Sequence, residues 1–475
     1  MLGSSKTKWI PAVLGILSFG YYALLSAKDY TWVFVSGDSG DWLATANWWM
    51  VPQPYGSPLY ILLCRLVGFL PGSQSINLTL LLSAVPAAIT VSLVYLIVQR
   101  LTGKRLIAIV SSLVLVGSTV FLTQATVLEE YMLTAMLLTL AFYLRQCDRP
   151  YASVIALSFG VAVHITLLFI GVFWLIADRA YWSKHHNTVF VGASIITVAY
   201  GFILLLMAMD TPRLLAGGFS YTSVKDYLLT VGGAVVGQLS VFELPLRLWD
   251  FIRVLLVSVG LALIPVIYAL RRPVPHLKLV LLGTIFASVG YYLICIDYTT
   301  WTFLTLTLPS FAILAGVGLS NLKPFHTRVV LAGCACLMLL NGVFMNANTL
   351  TRQNPIAQEY YDTLQSLPMG TVVATNAGFY SLGLFYAISE GTDLIPIVYP
   401  YLDTWNFEDY RVWLNDTYNL DIPQGDDTKD VITQLLGEGR EVYFAHYDGR
   451  ESVIRNWLEV EGTGDVKRVI GVVDD

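Results

Sequence analysis

The chain has 475 residues, 56% of them hydrophobic and only 13% charged, with a net charge of -5. This balance offers no basic surface for nucleic acid and describes a polytopic α-helical membrane protein. Cys64, Cys147, Cys295, Cys334 and Cys336 lie in or beside apolar runs, so they read as small buried hydrophobes and not as a disulfide or zinc framework.

Lys6 and Lys8 precede an apolar run over 9–27 that has no small-residue cleavage site, which predicts a retained first helix. The loop that follows, 28–75, opens with Ser36-Gly37-Asp38-Ser39-Gly40-Asp41-Trp42. A carboxylate at Asp38 or Asp41 can accept a proton from a hydroxyl nucleophile at the rim of a partly dry cleft. The same residues suit a helix start: Ser36, Asp38 and Ser39 are good N-caps for a helix through Trp42 to Trp49, and an acid in the first turn favours the helix dipole. Trp42, Trp48 and Trp49 fit a bilayer interface, and Leu59–Leu70, apolar but short and carrying Arg65, predicts an interfacial or re-entrant helix.

Further runs near the ~20 residues that cross a bilayer fall at 76–98, 106–123, 131–146, 188–208, 250–270, 278–296, 300–320 and 328–347. The stretch 151–178 reads either as one tilted helix or as two short ones hinged near Val163-His164. With two segments, one side of the membrane collects Lys6/Lys8, Arg100/Lys104/Arg105, Arg145/Arg149, Arg179/Lys184, Arg271/Arg272/Lys278 and Lys323/Arg328. The excess of Lys and Arg in cytoplasmic loops therefore favours about eleven spans, a cytoplasmic N-terminus and an extracytoplasmic C-terminus. On that topology Glu129-Glu130-Tyr131, at the start of a span, shares the outer face with Asp38. These glutamates also read as solvated first-turn residues. His164, at the hinge, can donate to a phosphate or sugar oxygen, or simply bond a backbone carbonyl. Arg213, Lys225, Arg247 and Arg253, in or beside the external segment 209–249, are candidate phosphate partners or loop and headgroup charges.

Beyond Leu350 the chain grows richer in Asp, Glu, Gly and Asn, with β-like runs at 371–374, 394–399 and 441–445 and helical candidates at 356–367 and 428–437. Two regions are expected: a membrane module over 1–348 and a soluble α/β domain over 349–475. The tail aromatics Tyr399, Tyr401, Trp405, Phe407, Tyr410 and Trp413 read as core or as a sugar-stacking surface. There is no internal repeat.

In order along the chain, Asp38-Ser39-Gly40-Asp41, then Gln53-Pro54-Tyr55-Gly56-Ser57-Pro58-Leu59-Tyr60, then Glu129-Glu130-Tyr131 and His164, the sequence resembles the GT-C superfamily of membrane glycosyltransferases. Within it, the protein O-mannosyltransferase-like branch has similar patterns: Asp-Ser-Gly-Glu, His-Pro-Pro-Gly-aromatic-Pro-Leu-Tyr and Glu-Val-Tyr. Here Asp41 stands for the glutamate and Gln53 for the histidine. The resemblance covers 9–180, with a further similarity at Leu367-Pro368 and Thr371–Thr375.

The resemblance implies a GT-C-like fold and an inverting glycosyltransferase on the extracytoplasmic face. Its partners would be a polyprenyl-phosphate-linked sugar, a hydroxyl acceptor in protein, lipid or glycan, and membrane lipid. Asp38 would act as general base, with Asp41, Glu129 and Glu130 in the catalytic set. His164, Arg213, Arg247 and Gln53 would bind the donor phosphate. No cofactor is required on this reading. A divalent cation, if used, would sit on Asp38, Asp41 and Glu129. A transporter or flippase, or a ligase or polymerase using a lipid diphosphate, are the competing classes; for a transporter there is no repeat, and only Arg253 and the hinge at His164 hint at a charged or broken span. The expected location is a prokaryotic cytoplasmic membrane.

Overall fold

The computed structural model describes residues 9–26, 39–49, 57–208, 244–270, 281–286, 289, 304–347, 355–376, 379–399, 402, 408–446, 453–462 and 466–473. Asp38, Gln53, Arg213, Lys225, Tyr401, Trp405, Phe407 and most of the predicted span 278–296 lie outside the described residues.

The membrane module begins with α1 (Ile10–Leu25), then the short α2 (Ser39–Asn47) and α3 (Pro58–Gly68). A continuous helical run follows, built from α4 (Gln74–Thr79), a π-turn at Leu80–Ala84 and α5 (Val85–Thr102). Pro86 explains the π-turn. A proline inside an α-helix lacks the N–H and collides with the carbonyl four residues back, and a widened turn relieves both.

The run predicted over 106–123 is broken into α6 (Arg105–Val116) and α7 (Thr119–Ala125), bent by 69°. Ser118 makes the break, since its side chain caps the amide of Phe121 at 3.4 Å and starts a new helix. The run predicted over 250–270 is likewise two helices, Leu244–Val259 and Leu263–Leu270, separated by Gly260 at a left-handed φ of 46°.

The ambiguity over 151–178 resolves as a reversal of the chain. α8 (Tyr131–Gln146) runs away from Glu130, and α9 (Pro150–Val163) returns alongside it. The chain turns at His164, whose extended backbone (φ -149°, ψ 122°) ends α9, and α10 (Thr166–Ala177) runs back. A Cβ on Gly160 would meet Leu167, and one on Gly171 would meet Leu157 at 3.3 Å, so α9 and α10 pack antiparallel through their glycines. Past α11 (Arg179–Trp182), α12 (His186–Ala208) climbs to the same end as His164. At the far end Arg145 Nε bonds Asp178 Oδ2 at 2.8 Å while its guanidinium lies 3.3 Å from the centre of the Tyr181 ring.

The module's main core is built from α1, α5, α6, α8 and the helix Leu308–Leu319, stitched by hydroxyls and small residues. Ser92 donates to the Pro11 carbonyl at 2.8 Å, Ser153 to Ala141 at 2.8 Å, and Ser111 to Ala312. Apolar burial gives helices in lipid little reason to associate, so close backbone approach and hydroxyl–carbonyl bonds carry the packing. Among the described residues, Gln74–Thr102 and Arg179–Leu206 are long and apolar enough to cross a membrane, with the two bent pairs as further candidates.

The C-terminal part holds a five-stranded sheet of order β2-β1-β3-β5-β4, formed by β1 (Thr371–Asn376), β2 (Leu394–Tyr399), β3 (Val442–Ala445), β4 (Leu458–Glu461) and β5 (Val466–Val472). β1 pairs in parallel with β2 and β3, β5 lies antiparallel between β3 and β4, and β4 forms the other edge. β1 and β2 are buried at almost every position, as strands covered by helices on both faces must be. Pro396 is tolerated because β2 is an edge strand, and its carbonyl accepts from Tyr410 at 2.7 Å. Tyr410 therefore belongs to the domain's core, with Trp413 packed beside it.

The two parts interlock through α2. Ala44 is a member of the C-terminal α/β part's core, with Trp48 packed on it, while Trp42 belongs to a cluster of the helical module. Reciprocally, Tyr386 of the soluble helix Phe379–Ser389 enters the membrane cluster.

Candidate active site

The predicted acids are not solvated. Asp41 is 1% exposed, and Glu129, Glu130 and His164 are wholly buried. Such groups are costly to bury unless partners and function retain them, and four of them gather at one end of the helix bundle.

Glu129 and Glu130 sit on the link between α7 and α8, and two serines hold that link. Ser39 Oγ, at the start of α2, donates to the carbonyl of Leu128 at 2.8 Å. Ser83 Oγ, in the π-turn, is 3.4 Å from both the amide N and the carbonyl O of Glu129, accepting from one and donating to the other. The π-turn thus aims a hydroxyl at the Glu129–Glu130 link. Glu130 is the N-cap of α8, but its side chain makes no capping bond; its Oε1 instead faces His164 Nε2 at 3.8 Å.

His164 is oriented from behind. Its Nδ1 is 2.8 Å from Thr166 Oγ1 and accepts the Thr166 backbone N–H at 3.3 Å. An Nδ1 that accepts leaves the ring proton on Nε2, pointing at Glu130. The Tyr131 ring packs against the imidazole with centroids 5.3 Å apart.

Asp41 lies in the first turn of α2, where the helix dipole favours a carboxylate. Its neighbour Trp42 meets Tyr60 edge-on with centroids 4.6 Å apart, and both belong to one cluster with Val127, Leu128 and Val163. The Tyr60 phenol faces the charges of Glu129 and Glu130. α2, α3 and the links before α8 and α10 therefore converge.

Of the cationic candidates, Arg213 and Lys225 lie outside the described residues. Arg253 is exposed and paired with Asp250 at 3.0 Å. Arg247 is on the same helix, roughly 15 Å along it from Val257, the residue whose carbonyl accepts from Thr119 of α7. Among the described residues no three His, Cys, Asp or Glu side chains form a metal-ligand group.

Sequence reasoning missed Ser83, Thr166 and Tyr60. Ser83 had no signal at all, being one hydroxyl in an apolar run. Thr166 stands two residues after His164, and that His-x-Thr spacing lets a side chain and its own backbone orient the ring.

A family model, Protein O-mannosyl-transferase TMEM260 N-terminal domain, matches residues 38–188, about a third of the chain and the part that holds every acid just described. No curated protein sequence matches significantly. Among solved structures, ArnT from Cupriavidus metallidurans bound to undecaprenyl phosphate is similar at 12% identity with a TM-score of 0.65, over 98% of each chain. The apo form of the same protein gives 13% identity and a TM-score of 0.62, again over 98% of each. At such identity the likeness shows the fold alone: a polytopic α-helical membrane architecture with a C-terminal α/β part.

Proposed function

We propose that this protein is a GT-C-type glycosyltransferase that moves a sugar from a polyprenyl-phosphate-linked donor to a hydroxyl acceptor, with inversion, on the extracytoplasmic face. The observation that carries this reading is the burial of Asp41, Glu129, Glu130 and His164 at one end of the bundle, inside the segment 38–188. A lipid-linked donor needs apolar surface for its chain and polar groups for its phosphate, and buried acids with a histidine at one end of an apolar bundle suit that pairing.

In the reaction, Asp38 takes the proton of the acceptor hydroxyl, the acceptor oxygen attacks the anomeric carbon, and the bond to the donor phosphate breaks with its electron pair on the phosphate. Asp41, Glu129 and Glu130 position the acceptor. The Nε2–H of His164 is a donor for a phosphate or sugar oxygen, and Gln53, Arg213 and Arg247 complete the phosphate contacts. A phosphate leaves without help from a general acid, and we assign no required cofactor; a divalent cation on Asp38, Asp41 and Glu129 is the variant that chelation tests.

About eleven spans, a cytoplasmic N-terminus and an extracytoplasmic C-terminal domain complete the reading. The hairpin of α9 and α10 supports it, because Asp178 returns to the end that holds Arg145, and Lys104, bonded to the Ser320 carbonyl at 2.7 Å, ties two further basic loops together. A prokaryotic cytoplasmic membrane is the setting proposed.

The test is to incubate purified wild type and Asp38→Ala with radiolabelled polyprenyl-phosphate sugars, with and without EDTA. Transfer by wild type, lost in Asp38→Ala and resistant to EDTA, is expected. Unchanged turnover in the variant removes Asp38 as base, EDTA sensitivity restores the cation, and absence of turnover with every donor overturns the reading.

A further inference from the structure

α2 is held at both ends by different parts of the molecule. Its N-terminal end is fixed to the Glu129 link by Ser39. At its C-terminal end Arg65 of α3 donates to the Ala46 carbonyl at 2.7 Å, where a cation suits the helix dipole, while Trp49 and Phe69 flank the guanidinium at 5.1 and 5.7 Å. Gly68 permits this approach, since a Cβ there would stand 2.8 Å from the same Ala46 carbonyl oxygen.

A chain of side-chain hydrogen bonds then leads out of the membrane module. Gln74 Nε2 donates to Asn47 Oδ1 at 2.8 Å, and Asn47 Nδ2 donates to Ser389 Oγ at 3.1 Å. The Ser389 hydroxyl in turn donates to the Tyr386 carbonyl at 2.7 Å. Every donor and acceptor in that chain is used in the only sense the others allow. It joins α4 to the soluble helix Phe379–Ser389 through the last residue of α2, and Ala44 is buried on that same soluble helix's side, in the domain's core.

We infer that the soluble domain positions the acidic helix: Asn47 and Ser389 are positioning residues that set where α2 presents Asp41 to the Glu129–Glu130 link. The inference rests on the proposed catalytic role of that site. The two domains then cooperate in one reaction, with the C-terminal domain acting on the chemistry through α2 and without touching the donor.

The test pairs two readouts on the full-length protein. Hydrogen exchange across residues 39–47, measured without any sugar donor, reads the hold on α2. Steady-state transfer from a radiolabelled polyprenyl-phosphate sugar reads catalysis. Asn47→Ala and Ser389→Ala are expected to speed exchange in α2 while leaving α8 unchanged, and to lower kcat about five-fold with donor KM unaltered. The double variant should lose no more than Asn47→Ala alone, because the bond from Asn47 to Ser389 is already gone in that single variant. Ser389→Thr, which keeps the hydroxyl, should restore kcat. Unaltered exchange in α2 overturns the inference. So does faster exchange with unaltered kcat, which would show that the placement of α2 does not matter to turnover. Absence of transfer by wild type with every donor is a failure of the glycosyltransferase reading, and the exchange data still report on the hold.

Discussion

His164 Nε2 and Glu130 Oε1 face each other across 3.8 Å with both side chains wholly buried, and they come from the starts of two different helices. Since Nδ1 of the ring already accepts the Thr166 amide, Nε2 is the nitrogen that carries the proton. A substrate oxygen entering between them would meet a donor on one side and a carboxylate on the other. Glu130→Gln keeps the shape and removes the charge. A drop in turnover of about 100-fold is expected for a carboxylate that positions the acceptor, with little change in thermal unfolding. Turnover within two-fold of wild type would take Glu130 out of the site.

The opposite end of α8 is held by a second pair, Arg145 with Asp178, stacked on Tyr181. This pair serves the hairpin and not the chemistry. Arg145→Ala leaves a largely buried carboxylate without its cation and should cost about 2 kcal/mol, less than a fully buried pair because the arginine is partly exposed. Arg145→Lys should recover only part, because lysine cannot supply two bonds and a planar face to the tyrosine. Thermal unfolding in detergent measures both. Equal stability of all three proteins would show that the pair is ornamental.

Gly68→Ala tests the close approach of α3 to α2. The added methyl meets the Ala46 carbonyl oxygen at 2.8 Å, and backbone cannot rotate away as a side chain can. The clash should cost about 1–3 kcal/mol and displace the helix that carries Asp41. Turnover at a temperature where the variant is fully folded is expected to fall several-fold; wild-type turnover there would mean that α2 tolerates the shift.

The soluble domain carries an alkaline sensitivity. Tyr361 bonds Glu390, which also accepts from Tyr386 at 2.8 Å, and burial together with the Glu390 carboxylate raises the Tyr361 phenol above its usual value. A raised phenol keeps its proton in the folded chain after the unfolded chain has lost its own. Its contribution to stability is therefore complete below about pH 10 and is lost as pH rises further toward the folded value. Between pH 8 and pH 11 the wild-type melting temperature should fall more steeply than that of Tyr361→Phe. Parallel curves for the two proteins would refute the assignment.

The elements legible in the sequence were those whose pattern is local or whose charge is one-sided. The turn at His164 could be read because a single long helix would have stranded Arg179, Lys184 and later basic loops on the wrong face. β1 and β2 announced themselves as β-branched runs between turn residues. The bends at Ser118 and Gly260 were not legible, since hydropathy passes through them unchanged. The soluble helix Phe379–Ser389, apolar all round, offers no periodicity, because it is buried between its own sheet and α2. β4 and β5 escaped notice because the sheet edge leaves Glu459, Lys467 and Arg468 among their apolar residues. At the site, the acids were visible as residue types, but the hydroxyls of Ser39 and Ser83 matter only through long-range contacts, 89 and 46 residues away in sequence.

The sharing of α2 between two cores constrains how the protein is made. Asn47 bonds a residue 342 positions later, so the helix bearing Asp41 leaves the ribosome long before the surface it needs exists. Contacts this distant in sequence form late and slowly. During synthesis the first loop must wait with Ala44 and Trp48 uncovered, and every span between must be inserted before the tail can cover them. A chain that stops short of Ser389 would hold Asp41, Glu129 and Glu130 and still lack the surface that covers Ala44 and anchors α2.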